Sequence, residues 1–500
     1  MKLKKNKEVS DKKETIVKEK KHFFKRKESK PREEMVDDWD SNEEKEIKYY
    51  CEKCHGLLKK DQDYCVRCGT HVRFETKMHR FFEKYVPKFL LFILILMPIC
   101  ELLYFLSAGG HLSFLGTSFN FRLDHFYKVF LIPLIFVYIF EKIYKRETPN
   151  FLEIAVYCYI WFTTLSLMTA HDVNVGWNGY TARYEGYPVL IFYAFYFLNA
   201  MSVKNQKIIK NSIKFICGLS IIHLICCALQ YNNGWFIDHV LGYKYNQYQM
   251  VGLVENSNFL GSISSLMTAM AMVLYYYRHK IWGYLLFVIS YIVLLLSNCT
   301  GSFLSFGLLC IIFLIFVIVR KEFNWKYFAV ALLTCVVLFP INGIFCSSSM
   351  MSDVKSSSQV IENKIEDENA SLDALGTNRI IIWKRAWKLI KERPLLGYGP
   401  DNMALVVESI DGRISSKAHN IYLNFCVSSG IFTLLSYCLW IFLTLWSTRK
   451  CNNLTRIVLC FGVLMYSIQG FFNINVIEIT PMFFLLAGYL ASYKGKNLDV

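Results

Sequence analysis

This sequence is poor in charge. Asp, Glu, Lys and Arg make up 19% of its 500 residues, against 54% hydrophobic and 16% aromatic. A soluble chain of this length would form two or three domains, each needing a charged surface. The shortage excludes that plan. Acids are scarcer than bases, 40 against 56, for a formal charge of +16. Among apolar runs long enough to cross a bilayer, about 20 residues each, such an excess marks cytoplasmic loops. No nucleic-acid partner is expected. No cleavable signal peptide is visible, since the first apolar run begins only near Val86, after a charged segment. The 17 cysteines lack the spacing of a secreted disulfide scaffold; most lie in apolar segments as small hydrophobes. No internal repeat is visible.

Residues 1–48 read as a disordered charged tail, with 14 Lys or Arg in the first 32 positions and eight acids between Glu33 and Glu46. Such a segment buries too little apolar surface to offset its ordering entropy. Its basic half suits contact with anionic lipid. Residues 49–75 hold Cys51-x2-Cys54 and Cys65-x2-Cys68, two short knuckles giving four thiolates for one tetrahedral Zn²⁺. The spacing resembles small zinc-ribbon modules. A structural zinc is expected, with His55 outside the ligand set because four thiolates already close the site.

Residues 76–500 read as an all-α polytopic membrane domain. About twelve apolar spans centre on 86–106, 126–141, 151–170, 187–202, 213–230, 258–277, 281–297, 302–319, 327–345, 420–446, 456–472 and 479–493. The seventh and eighth are joined by a few residues, Asn298 to Gly301, and form a helical hairpin. Lys and Arg cluster in alternate loops, including Lys142, Lys145 and Arg146, then Arg320, Lys321 and Lys326. The other loops carry one each: Arg122, Arg183 and Lys244. The positive-inside rule puts the first set, both termini and the zinc ribbon in the cytoplasm. A large loop, 346–419, is then external.

That loop is the long polar interruption of the membrane domain. Ser347 to Ser371 reads as flexible. An amphipathic helix follows, capped by Thr377 or Asn378, with Ile380, Trp383, Trp387 and Ile390 at helical spacing and Lys384, Arg385, Lys388 and Lys391 mostly on other faces. It suits a helix lying on the outer membrane surface, and equally an ordinary helix covering the bundle. Pro394 stops it. Gly397-Tyr-Gly399-Pro400-Asp401-Asn402 makes a sharp turn. His419-Asn420 sits where the polar loop meets the tenth span. An ionisable group there points to function, although a lone boundary histidine can simply bind a carbonyl.

Taken together, Arg379-x3-Trp383, Pro394-Leu-Leu-Gly-Tyr-Gly399 and His419-Asn420-x9-Gly430-x2-Thr433 resemble the O-antigen ligase and O-antigen polymerase superfamily. Arg183-Tyr-Glu185-Gly186 resembles its Arg-x-x-Gly element. Gly252 to Asn256 and Asn258 are similar to its Gly-x-x-x-Asn-x-Asn element. Thr300-Gly301-Ser302 matches a small-residue turn, with Phe303 where many members differ. The zinc ribbon lies outside the family pattern.

The resemblance implies glycan transfer from an undecaprenyl-diphosphate carrier at the outer face of a bacterial cytoplasmic membrane, to a glycan, lipid, protein or wall acceptor. It makes Arg183 and Arg379 candidate diphosphate ligands and His419 the general base. Glu185 is a competing base or an orienter of Arg183. Asn420, Gly397, Gly399, Asn256, Asn258, Lys384 and Arg385 become candidate substrate contacts. No paired external acids suggest a catalytic metal, so a metal-independent inverting glycosyltransferase is expected. Two other classes fit twelve spans: a lipid-linked glycan flippase or polysaccharide transporter, and a scaffold recruiting partners through the ribbon. A flippase needs ionisable groups within its spans, and Glu101 is the clearest of few.

Overall fold

The computed structural model describes residues 31–34, 48–51, 54–58, 65–69, 77–108, 122–145, 148–181, 183–232, 250–254, 256–346, 350–366, 375–411, 416–449 and 453–492. The chain divides into two compact units, Met1–Lys84 and Tyr85–Val500.

The first unit contains a three-stranded antiparallel sheet, β1 Pro31–Glu34, β2 Lys48–Cys51 and β3 Leu57–Leu58, in the order β1-β2-β3. β1 corrects the expectation of a wholly disordered tail, since Pro31–Glu34 pairs with Lys48–Cys51. The rest of the expected tail lies outside the described residues. Beside the sheet the four thiols gather within 4.8 Å of one another. Cys51 Sγ lies 3.6 Å from Cys68 Sγ, and Cys54 Sγ 3.4 Å from Cys65 Sγ. Four sulfurs about 2.3 Å from one ion sit at nearly these separations. Both knuckles are closed by the backbone: His55 N–H donates to Cys51 O (2.8 Å) and Gly69 N–H to Cys65 O (2.8 Å).

The second unit is helical. In chain order its helices are α1 Lys77–Ala108 (which begins in the first unit), α2 Leu123–Lys145, α3 Phe151–Met168, α4 Val173–Asn178, α5 Tyr187–Met201, α6 Gln206–Asn232, α7 Ser257–Arg278, α8 Ile281–Leu296, α9 Thr300–Val319, α10 Trp325–Leu338, α11 Pro340–Phe345, α12 Met350–Glu366, α13 Leu375–Glu392, α14 Met403–Asp411, α15 Ile421–Trp446, α16 Leu454–Gln469 and α17 Thr480–Ser492. Among the described residues, eight helical segments are long and apolar enough to span a membrane, with α10 and α11 counted as one. α5, α8, α16 and α17 are shorter apolar helices. These segments coincide with the twelve expected spans, and the fold is that of an all-α polytopic membrane protein.

Lipid offers no hydrophobic drive between helices, so small residues and close packing hold such a bundle. α7 is its hub, buried along nearly its whole length and packed on α8, α16, α9 and α6. A Cβ at Gly261 would lie 2.4 Å from Cys299 Cβ, so only glycine allows α7 to approach the α8–α9 turn. A second cluster forms around Trp440 of α15, with Phe197 at 4.7 Å and Phe484 at 4.8 Å between ring centroids.

Contacts divide the connections into two sets. At one end Lys142 pairs with Glu153, and Tyr276 Oη donates to Glu322 O (3.0 Å). At the other, Tyr127 Oη reaches Ile477 O (2.6 Å), Arg183 reaches Ser416, and Thr300 reaches Asp353. The second end bears the large loop and every membrane-domain residue singled out for chemistry.

The large loop departs from expectation in three ways. Ser347 to Ser371 is not simply flexible: Met350–Glu366 within it is helical and packs on α13. α13 starts at Leu375, before Thr377 and Asn378, so neither is its cap. The buried face of α13 is Ile382, Ala386, Leu389 and Ile390, packed on Tyr398, Met403, Val406 and Val427, while Trp387 faces out. Tertiary packing selected a stripe rotated from the one the tryptophans suggest.

Candidate active site

The site is assembled on a broken helix. Gly430 interrupts α15 with φ 80°. A break frees backbone groups that lipid cannot satisfy. Here the turn after α13 takes them up: Tyr398 N–H donates to Val427 O (2.9 Å), Gly399 N–H to Ser428 O (2.7 Å), and Ile431 N–H to Pro394 O (2.8 Å). A Cβ at Gly430 would meet Leu395 O at 2.0 Å, at Gly397 Val427 O at 2.5 Å, and at Gly399 Ala170 Cβ at 2.3 Å. The glycines therefore serve close backbone approach.

The turn next organises the segment between α4 and α5. Asp401 Oδ2 accepts from the Tyr180 N–H (2.8 Å) and the Glu185 N–H (3.3 Å). Asn402 accepts from the Asp172 N–H (2.9 Å) and donates to Asp172 O (3.1 Å). Gly186 and Gly179 close this loop, since a Cβ at Gly186 would lie 2.3 Å from Trp177 O. Between them Tyr184 adopts φ 53°, and Arg183 and Glu185 project from either side of it.

Lys417 locks three segments together. Its ammonium is buried, pairs with Glu185, stands 3.7 Å from Asp401 Oδ1 and donates to Asn475 O (3.3 Å). Tyr193 Oη donates to the other Glu185 oxygen (3.1 Å). Burial pushes the Glu185 carboxyl above its usual range, against the pull of Lys417. Glu185 is thus committed to an ion pair and a phenol.

Two residues beyond Lys417 comes His419, at φ 50°. Asn420 then caps α15, its side-chain oxygen accepting from Tyr422 N–H and Leu423 N–H (3.0 Å each). Burial, then the positive charges of Arg379 and Arg183, pull the His419 imidazole down to about 4. Among the described residues it makes no hydrogen bond. The two guanidiniums that act on it come from separate segments. Arg183 Nε donates to Ser416 Oγ (3.1 Å), and the guanidinium lies 5.5 Å over the Phe259 ring. Arg379 comes from α13 and touches the α8–α9 turn: a Cβ at Gly301 would lie 3.1 Å from its Nη1. Burial also depresses the Arg379 guanidinium. It has no hydrogen bond or ion pair among the described residues.

The remaining sequence candidates take structural places. Asn256 caps α7 through Asn258 N–H (2.8 Å), and Asn258 O accepts from Asn473 Nδ2 (2.9 Å). Lys384 is exposed and Arg385 half-buried on α13. Sequence reasoning passed over Lys417, Asp401 and Asn475, and used Arg122 only for topology. Arg122 lies 3.8 Å over the Tyr184 ring, held by Asp124 (2.9 Å). With Arg183, Tyr184, Phe259 and residues 475–478 it lines a small cleft beside the site.

A family model described as O-antigen ligase matches residues 285–438. That stretch carries the α8–α9 turn, Arg379, the glycine turn, His419 and the Gly430 break. A protein of Rickettsia prowazekii (strain Madrid E) named "Putative polysaccharide ligase" is 24% identical over 324 residues, covering 62% of this chain and 70% of its own. A protein of the same printed name from Rickettsia typhi (strain ATCC VR-144 / Wilmington) is 24% identical over 316 residues, covering 62% and 65%. Matched motifs, twelve apolar segments and the assembly around His419 agree with this likeness, and over residues 285–438 the chain is similar to the O-antigen ligases.

Proposed function

We propose that this protein transfers or polymerises glycan from an undecaprenyl-diphosphate-linked donor, at the outer face of the cytoplasmic membrane, in the synthesis of a cell-surface polysaccharide. The observation that carries the reading is the electrostatic meeting of Arg183, Arg379 and His419. A lipid diphosphate leaving group needs preorganised positive charge in a site from which water is excluded. Two guanidiniums on different segments supply it, and among the described residues no anion is bonded to that of Arg379.

The acceptor hydroxyl attacks the anomeric carbon as the bond from that carbon to the diphosphate oxygen breaks. The hydroxyl proton passes to His419, and the lipid diphosphate leaves against Arg183 and Arg379. Single displacement inverts the anomeric centre. The cationic neighbours keep the imidazole neutral and able to accept a proton. Bound diphosphate offsets their charge and raises the basicity of His419 when substrate is present. Because guanidiniums stabilise the leaving group, the step needs no metal. Gly397, Gly399, Asn256 and Asn420 shape the site through backbone and capping contacts, and Glu185 positions Lys417. Cys51, Cys54, Cys65 and Cys68 fit a structural Zn²⁺, as thiolate ligands of tetrahedral geometry. The scarcity of ionisable groups along the spans favours transfer over a flippase.

His419→Ala tests the assignment. The variant should reach the membrane folded and lose product by about 10²–10⁴-fold. Normal yield and chain length would remove His419 from the reaction. Accumulated single repeat units in a deletion strain would indicate a polymerase, and accumulated long chains a ligase.

A further inference from the structure

The large loop carries a helix that the reaction does not use. At about 100° per residue, α12 has three faces. Asp353, Ser357, Val360 and Lys364 are half-buried toward the protein. Met351, Val354, Ile361 and Ile365 share an arc of about 80° and are 56%, 46%, 46% and 77% exposed. Exposed polar and charged residues, Lys355, Gln359 and Glu362 among them, fill the third face. An apolar stripe between a protein-facing side and a polar side is the pattern of a helix lying in a lipid interface.

The neighbouring surface says what covers the stripe. α12 packs on α11, whose Ile344 and Phe345 are 67% and 39% exposed. Their surface runs on along α10 through the exposed Val336, Val337, Leu332 and Leu333. Trp325–Phe345 is a spanning segment, and an exposed apolar face on such a segment meets acyl chains. The stripe thus continues a lipid-facing surface beyond the end of the span.

We propose that α12 is an in-plane helix, docked by its apolar stripe in the lipid headgroup layer at the site-bearing end of the bundle. The bilayer holds it there, and its inner face then presses Asp353 onto the site. Asp353 Oδ2 accepts from Thr300 Oγ1 (2.8 Å), and its charge acts on Arg379. The inference does not depend on the reaction assigned above.

The test uses the full chain in phosphatidylethanolamine–phosphatidylglycerol vesicles. An environment-sensitive fluorescent amino acid replaces Ile361 or Ile365 and, in separate samples, Ser356 or Asn363 on the polar face. Emission from the first two positions should be blue-shifted and quenched by lipids bearing a doxyl group near the headgroup; the latter two should show neither effect. Equal emission and quenching at all four positions would overturn the proposal. So would a blue shift at 361 and 365 that doxyl lipid leaves unquenched and that grows with protein density, since a second copy would then be the cover. In an Ile361→Asp/Ile365→Asp variant, protease cleavage within 350–366 should speed up at least several-fold in vesicles. An unchanged rate would count against lipid docking.

Discussion

The two ends of the helical bundle use the same unusual backbone conformation for different purposes. At the end where Lys142 meets Glu153, the left-handed residues His279 and Lys321 simply close helices: His279 is the C-cap of α7, and Lys321 follows α9. At the other end Tyr184, Asp401 and His419 are left-handed within loops, where the conformation costs about 1–3 kcal/mol each. There it aims side chains: it sets Arg183 and Glu185 on either side of Tyr184, and presents His419 between Lys417 and the cap of α15. Both ends close helices this way, Asn298 doing so after α8 at the second, but only the second also uses it to hold charges in place.

This contrast can be broken at several points. The largest effect is expected at Lys417, whose removal leaves Glu185 and Asp401 buried without their cation. Lys417→Met should cost about 3–5 kcal/mol, seen as a lower midpoint of thermal unfolding in detergent together with lost activity. Next comes Arg379→Gln, which leaves the fold intact and lowers kcat/KM by about 10²–10³-fold. Gly430→Ala should follow at about 1–3 kcal/mol, because its Cβ would meet Leu395 O at 2.0 Å. Gly307→Ala is the control: a Cβ at Gly307 finds nothing within 4 Å, so stability should hold or rise slightly. The smallest effect belongs to the opposite end. Arg320 pairs with Glu322 at 3.0 Å, part-exposed, and Arg320→Gln should change stability by less than about 1 kcal/mol and leave activity alone. A large loss of activity there would dissolve the comparison.

The spans were readable because apolar length is a one-dimensional property, and each of the twelve runs became a helix. The four-cysteine cluster was readable because the spacing of its two Cys-x2-Cys pairs is local. Arg183, Arg379 and His419 were proposed from motifs, and in the structure both arginine charges act on the imidazole. The register of α13 was not readable. Trp383 and Trp387 weight any apolar moment, yet the groove beside Val427 accepts Ala386 and Leu389. Lys417 escaped notice and Asp401 was read only as part of the turn, because their significance lies in partners roughly 220–230 positions away, Glu185 and Tyr180. The glycine turn looked like a ligand loop; its glycines are explained by the α15 break, which the sequence signals only through Gly430.

Titration of the His419 imidazole in the intact protein tests the central claim most directly, followed by nitrogen NMR and assigned by its loss in His419→Ala. The value should lie near about 4. It should rise toward the ordinary histidine range in Arg379→Gln, and likewise when undecaprenyl diphosphate is added. A histidine that titrates near 6.5 and ignores both the arginine and the lipid diphosphate would contradict the account.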